Sequence, residues 1–266
     1  MKKNRIGTYF KVWKVFGFNA IQETLVNRGS NVLFMIGKIL RLAFSLIFLL
    51  LIKETVTTFS GYTSDQMVVF FLTYQFLDLL SQMIYRGTYV FSSEVRSGSF
   101  DSYLSKPINP LFRALTGKPD VNDAIFMIPS LAVSFYIFST LNITVTWSGV
   151  IWYLILLINS MLIVTAINIV ILVIGILTTE TEGVIWTYRD LNAMGKFPIG
   201  IYMQPLRFIL FFIIPIGMMI TIPTEILLGT KPSFSIIATL ITGVVSFFAS
   251  IKLWNWALKK YTSVGS

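Results

Sequence analysis

Histidine and cysteine are absent from all 266 residues, and only 12% of the residues carry a charge. Without histidine the chain lacks the commonest general base and metal ligand. Without cysteine it has no disulfide, thiolate nucleophile or zinc–thiolate site. Intramembrane metalloprotease and Ser–His chemistry are thereby excluded. An aspartyl membrane protease needs two facing carboxylates, and Asp78 is the one acid placed well inside an apolar run. A phosphate-cradling glycine loop is also missing. Gly117-Lys118 has neither the preceding glycine nor the following Ser or Thr, and no strand leads into it. If ATP is used, another chain hydrolyses it.

What the chain has is apolar length. It is 55% hydrophobic, with a mean hydropathy of +0.76, whereas a soluble domain carries about 25% charged residues. Apolar runs of about 20 residues span a membrane as helices. The expected fold is an all-α polytopic membrane protein with six transmembrane helices. The spans are expected near Asn31–Ile52, Gln66–Tyr85, Ala124–Ile143 and Val150–Leu177, then from Leu206 with breaks at Pro215 and Pro223, and finally Phe234–Trp254. Residues 1–28 have no continuous apolar stretch of the signal-peptide kind. They read as an amphipathic interface helix, with Ile6, Phe10, Trp13, Gly17, Ile21 and Thr24 on one stripe and lysines around it. Residues 29–258 form the transmembrane domain and 259–266 a tail.

The net charge is +9 with a pI near 9.7. In a soluble domain that would suggest nucleic acid, but here the basic residues segregate by loop, so no nucleic-acid partner is expected. Lys2, Lys3, Arg5, Lys11, Lys14 and Arg28 precede the first span, and Arg86, Arg96, Lys106, Arg113 and Lys118 follow the second. Arg189 and Lys196 follow the fourth, and Lys252, Lys259 and Lys260 end the sixth. The remaining loops hold only Lys53 and Lys231. The positive-inside rule then places both termini in the cytoplasm.

Three features stand out against this frame. The loop 86–122 alternates apolar and charged residues and reads as a short helix, a break at Gly98, a second short helix and a stop at Pro107. It is either a docking element for another protein or a solvated connector. In the spans, Lys38 and Arg41 share a face of the first, and Asp78 sits about 18 Å along the second. Arg41 and Asp78 are the expected intramembrane pair, because a central arginine costs roughly 2.5–3.5 kcal/mol without a partner. Lys38 is expected to snorkel to the headgroups, and Asn159 and Asn168 to bond across helices. Finally, Pro215, Pro223 and Gly229 suggest that segment 222–230 dips back into the membrane, with Glu225 at the outer rim of a pathway.

The chain resembles the permease of a type-2 ATP-binding-cassette exporter, in particular the bacterial six-span permeases. One stretch that carries the resemblance is Gly98-Ser-Phe-Asp101-Ser-Tyr-Leu104-Ser-Lys-Pro107-Ile-Asn-Pro110-Leu. The other runs from Phe197-Pro-Ile-Gly-Ile-Tyr202 through Leu206-Arg-Phe-Ile-Leu and Ile214-Pro-Ile to Pro223, with Leu-Leu-Gly229 beyond. Phe197 replaces the usual tyrosine. The resemblance implies that a separate ATPase binds ATP and Mg, with no cofactor on this chain and no enzymatic activity of its own. It implies that the ATPase engages Glu94, Arg96, Gly98, Phe100, Asp101 and Leu104 as a coupling helix. A second homologous permease would complete the path as a heterodimer, in the plasma (inner) membrane. The competing expectation is an ATP-independent secondary transporter or channel, which should show a dense intramembrane relay of ionisable groups.

Overall fold

The computed structural model describes residues 5–55, 58–59, 61–230 and 234–262. Lys2, Lys3, Lys231 and the last residues of the expected tail lie outside them. The described residues form twelve α-helices and one two-stranded hairpin. Helix α1 (Arg5–Val26) leads into α2 (Arg28–Thr55). Strands β1 (Thr58–Phe59) and β2 (Tyr62–Thr63) pair antiparallel. Thr63 then opens α3 (Ser64–Tyr85) with a capping box, its hydroxyl taking the Gln66 N–H while the Gln66 side chain takes the Thr63 N–H.

Three short helices follow: α4 (Gly87–Arg96), α5 (Asp101–Leu104) and α6 (Pro110–Thr116). Helix α6 starts on a proline, where the missing N–H costs nothing, and Asn109 caps it. Asp120 caps α7 (Val121–Ser139), and Thr146 caps α8 (Trp147–Thr178). Next come α9 (Glu182–Ala193), α10 (Leu206–Phe208), α11 (Ile222–Leu227) and α12 (Phe234–Lys260). A π-helical turn over Ile209–Ile213 extends α10, and another over Gly217–Thr221 leads into α11.

Five of these helices are long and apolar enough to cross a membrane, and the bent pair Leu206–Ile213 and Gly217–Leu227 makes a sixth if it counts as one span. The molecule is an all-α polytopic membrane protein. Helix α8 is the central rod. Its sequence is apolar all round; Leu156, Ile163, Ile169 and Leu172 are fully buried, while Ile151, Leu154 and Ile158 stand on its outer, exposed face. Helix α12 packs along it at close range. A Cβ on Gly243 would lie 2.2 Å from Asn159 Oδ1, so only glycine fits there. The approach lets Asn159 Nδ2 donate to the Thr239 carbonyl at 2.8 Å. Asn168, in turn, accepts from Thr88 Oγ1 of α4 at 3.3 Å. Both asparagines therefore bond across helices.

The ends of the bundle differ. At one lie α1, α4–α6 and the end of α12, the basic end. At the other lie the β-hairpin and the starts of α3 and α8, the hairpin end.

Several expectations are corrected. The bend of the fifth apolar segment lies at Pro215, not at Pro223. Ile214 is extended (φ −117°, ψ 92°), as a residue before proline tends to be, and the axis turns by 72°. Pro223 sits in the first turn of α11, where it interrupts nothing. The stripe on α1 is also divided. Phe16, outside that stripe, is the buried residue, while Phe10 and Ile21 are exposed. Helix α1 packs on α6, where Arg113 stacks over the Phe16 ring and Tyr9 meets Phe112 edge-on at 4.9 Å.

The largest difference concerns residues 178–205, expected as a cytoplasmic loop. Helix α9 and the turns after it climb along α3 instead. Asn192 Nδ2 reaches Asp78 Oδ1 at 3.3 Å, and Lys196 Nζ lies over the Tyr74 ring. Asn192 and Lys196 thus meet polar groups of α3, while Tyr188 Oη and Asn192 Oδ1 stay buried without a hydrogen-bond partner among the described residues.

Candidate functional site

The expected coupling residues lie at the basic end. Gly98 has φ +72°, the left-handed region that favours glycine, and it turns the chain between α4 and α5. The turn drives Phe100 into the core, fully buried. Its ring meets Phe91 at 5.1 Å, Tyr261 at 5.1 Å and Trp254 at 6.2 Å between centroids. Asp101 accepts from Tyr261 Oη at 2.8 Å. Burial and that bond push the Tyr261 phenol up to about 12. Tyr103 is held above its ordinary pKa by burial and by the hydrogen bond it donates to Glu94, so Glu94 faces inward. Arg96 donates to the Thr179 carbonyl at 2.9 Å and pairs with Glu180 at 3.1 Å, tying α4 to the end of α8. Of the six residues, only Leu104 and Arg96 present exposed side chains. Leu104 stands out as an apolar side chain 43% exposed, among Ser99, Ser102, Ser105 and Lys106.

A second cluster lies inside the bundle. Tyr85 and Thr165 hydroxyls are 2.5 Å apart, and those of Thr73 and Tyr153 are 3.0 Å apart. These two contacts set α3 parallel to α8, so Asp78 lies level with Ile158, about 16 Å along α8 at 1.5 Å per residue. That is close to the middle of a hydrocarbon core about 30 Å thick. Gln82 Nε2 donates to Asp78 Oδ2 at 2.8 Å. Arg41 Nη2 is 3.9 Å from the same oxygen and 3.4 Å from Tyr74 Oη. Arg41 and Asp78 are thus brought together, at the long end of an ion pair. Lys38 does not snorkel. It forms an ion pair with Asp123, which is fully buried at the start of α7. Reasoning from the sequence missed Asp123, because it stands next to the basic loop rather than within an apolar run.

Two small cavities, of about 10 and 30 Å³, flank Asp78. Asp78 and Gln82 line both. Tyr188, Arg189 and Asn192 complete the first, and Lys38, Arg41, Gln75 and Asp123 the second. Arg189 and Asn192 were expected in a loop. The signal for their burial is the amphipathic order of α9, in which Ile185, Tyr188 and Asn192 recur at helical spacing.

Glu225 does not face a cavity at the rim. It is 2% exposed and accepts a hydrogen bond from Tyr62 of β2, which joins the hairpin to α11. Burial, and the bond to Glu225 after it, hold the Tyr62 phenol above its ordinary pKa.

The molecule is thus a multi-pass helical bundle with polar groups inside and a helical link fastened to two of its long helices. The family model for ABC-2 family transporter proteins matches residues 39–265, and the chain belongs to that family. No curated protein matches it. The protein is therefore a transmembrane permease subunit of an ABC transporter, of a family that works with ABC ATPase partners.

Proposed function

We propose that this permease belongs to an ATP-driven exporter in the plasma membrane and that its basic end faces the cytoplasm. ATP and Mg are bound by separate ATPase subunits, and a second permease completes the path. The observation that carries this reading is the fastening of α4–α5. Phe100 is locked between Phe91, Trp254 and Tyr261, and Arg96 is bonded to the end of α8. A displacement of this link is transmitted to α12 through packed rings and to the end of α8 through the Arg96 bonds. The part offered to an ATPase is the outer face around Leu104. Glu94, Phe100 and Asp101 hold the link in place behind it.

The positive-inside bias supports the orientation even with Arg189 and Lys196 counted inside the bundle. The experiment is to express the chain with an ABC ATPase and a second permease from its source, purify the complex and measure ATP-dependent uptake into inverted vesicles. The reading requires the ATPase to co-purify and Leu104→Glu to abolish its association. ATP-independent flux by the chain alone would favour a secondary transporter or channel.

A further inference from the structure

Arg41 stands at the middle of the 28-residue α2, yet its side chain is 52% exposed. An arginine exposed to lipid at that depth costs roughly 2.5–3.5 kcal/mol on the insertion scale, so such residues face protein or water. Asp78 does not fully neutralise it. That carboxylate is 3.9 Å away and is shared with Gln82 and Asn192.

Further positive charge gathers around the same acid. Lys196 covers the face of Tyr74, whose hydroxyl Arg41 contacts, so two cations converge on one ring. Arg189 lines the cavity on the other side of Asp78. Lys38 is neutralised by Asp123. Three cations thus surround one carboxylate. Among the described residues, Tyr188 Oη lies buried in the same cavity without a hydrogen-bond partner. It is a donor left for a ligand or water.

We propose that Arg41 and Lys196, both held against the buried Tyr74, line an aqueous pathway at mid-membrane and select an anionic group, a phosphate or carboxylate on the transported molecule. The proposal rests on the permease reading and adds the charge class of its substrate. A fork-shaped guanidinium suits such oxyanions. Asp78 holds the cations at a spacing that leaves Arg41 open on one side, so an anion can bind and leave.

The absence of cysteine permits a direct test. Gln75→Cys places a thiol in the cavity that Arg41 and Asp78 line. In membranes containing the whole transporter, an anionic sulfonate thiol reagent and its trimethylammonium counterpart are compared, each relative to a free thiol. A positive, wet site favours the anionic reagent by about tenfold. Adding Arg41→Gln with Lys196→Gln removes that preference. Ser81→Cys, in the adjoining cavity, serves as a second reporter if the first variant is not inserted. No modification at either position, or preference for the cationic reagent, overturns the proposal.

A second measurement identifies the source of the anion. Modification is repeated in zwitterionic vesicles, in vesicles containing phosphatidylglycerol and with added inorganic phosphate. Protection by phosphatidylglycerol alone identifies a lipid headgroup, and protection by phosphate identifies a soluble anion. Protection by neither overturns the anionic class. Loss of the permease reading would appear separately, as failure of the ATPase to co-purify.

Discussion

Tyr261 Oη donates to Asp101 Oδ1 at 2.8 Å, which fastens the residue just beyond α12 to the helical link between α3 and α7. The phenol stands over Phe100, whose ring also meets Trp254. Removing parts of this clamp separates its stability role from its transmission role. Tyr261→Phe keeps the ring contact and loses a charge-assisted hydrogen bond, for a cost of about 1.5–3 kcal/mol at most. Trp254→Ala empties a buried site and costs about 3–5 kcal/mol. Thermal unfolding in detergent should rank them in that order. ATP-driven efflux should fall in both, with ATPase association kept in Tyr261→Phe.

The same phenol has a pH signature. Its pKa in the folded protein is about 12, above the ordinary value for tyrosine. The neutral phenol is thus the form favoured by folding. Its contribution is fully present below about pH 10 and is lost as the pH rises through about 12. Difference absorbance between the parent and Tyr261→Phe should show one tyrosine ionising in that upper window. A difference band centred near pH 10 would mean that the bond to Asp101 is not formed.

The Lys38–Asp123 pair should matter more than the Arg41–Asp78 pair. Lys38 and Asp123 side chains are 14% and 1% exposed. Breaking a buried pair from one side costs about 3–5 kcal/mol. Asp123→Ala should therefore unfold α7 from α2 in trypsin-accessibility or thermal assays, with partial recovery in Lys38→Met/Asp123→Ala. For Arg41 and Asp78 the double-mutant cycle should give about 1 kcal/mol or less, as expected for a long, half-exposed pair. Asp78→Ala alone should be the worse single variant, because it also strips Gln82 and Asn192 of an acceptor.

Gly243→Ala should destabilise the α8–α12 pair. The new methyl would lie 2.2 Å from Asn159 Oδ1 and force that side chain, with its bond to the Thr239 carbonyl, out of place. Overpacking of this kind costs about 1–3 kcal/mol. Part of that should return in Gly243→Ala/Asn159→Ala, which makes room for the methyl. Equal melting temperatures for the single and double variants would contradict the geometry.

Cysteine labelling tests the topology. Positions 99 and 102 should label from one side of the membrane and positions 61 and 142 from the other. Asn192→Cys should label far more slowly than positions 99 and 102, because Asn192 is 5% exposed and lies against Asp78. Rapid labelling at 192 from the cytoplasm would restore a free loop between α8 and α10.

Apolar length and charge segregation already determine much of this protein. A 32-residue run such as α8 has to be a buried or membrane-crossing helix wherever it stands, since only a helix satisfies its backbone without water. Gly98 likewise marks a turn through local chemistry. The partners of the polar groups were not legible in that way. Arg189, Asn192 and Lys196 look like loop residues until α3 supplies Asp78 and Tyr74 opposite them. Glu225 looks like a rim carboxylate until Tyr62 closes over it. Phe100 and Asp101 look like a docking surface until Trp254 and Tyr261 arrive from the far end of the chain. Local propensity depends on neighbours within a turn or two of helix, whereas the energy of a buried charge depends on groups a hundred residues away. Only the tertiary fold brings those groups within reach.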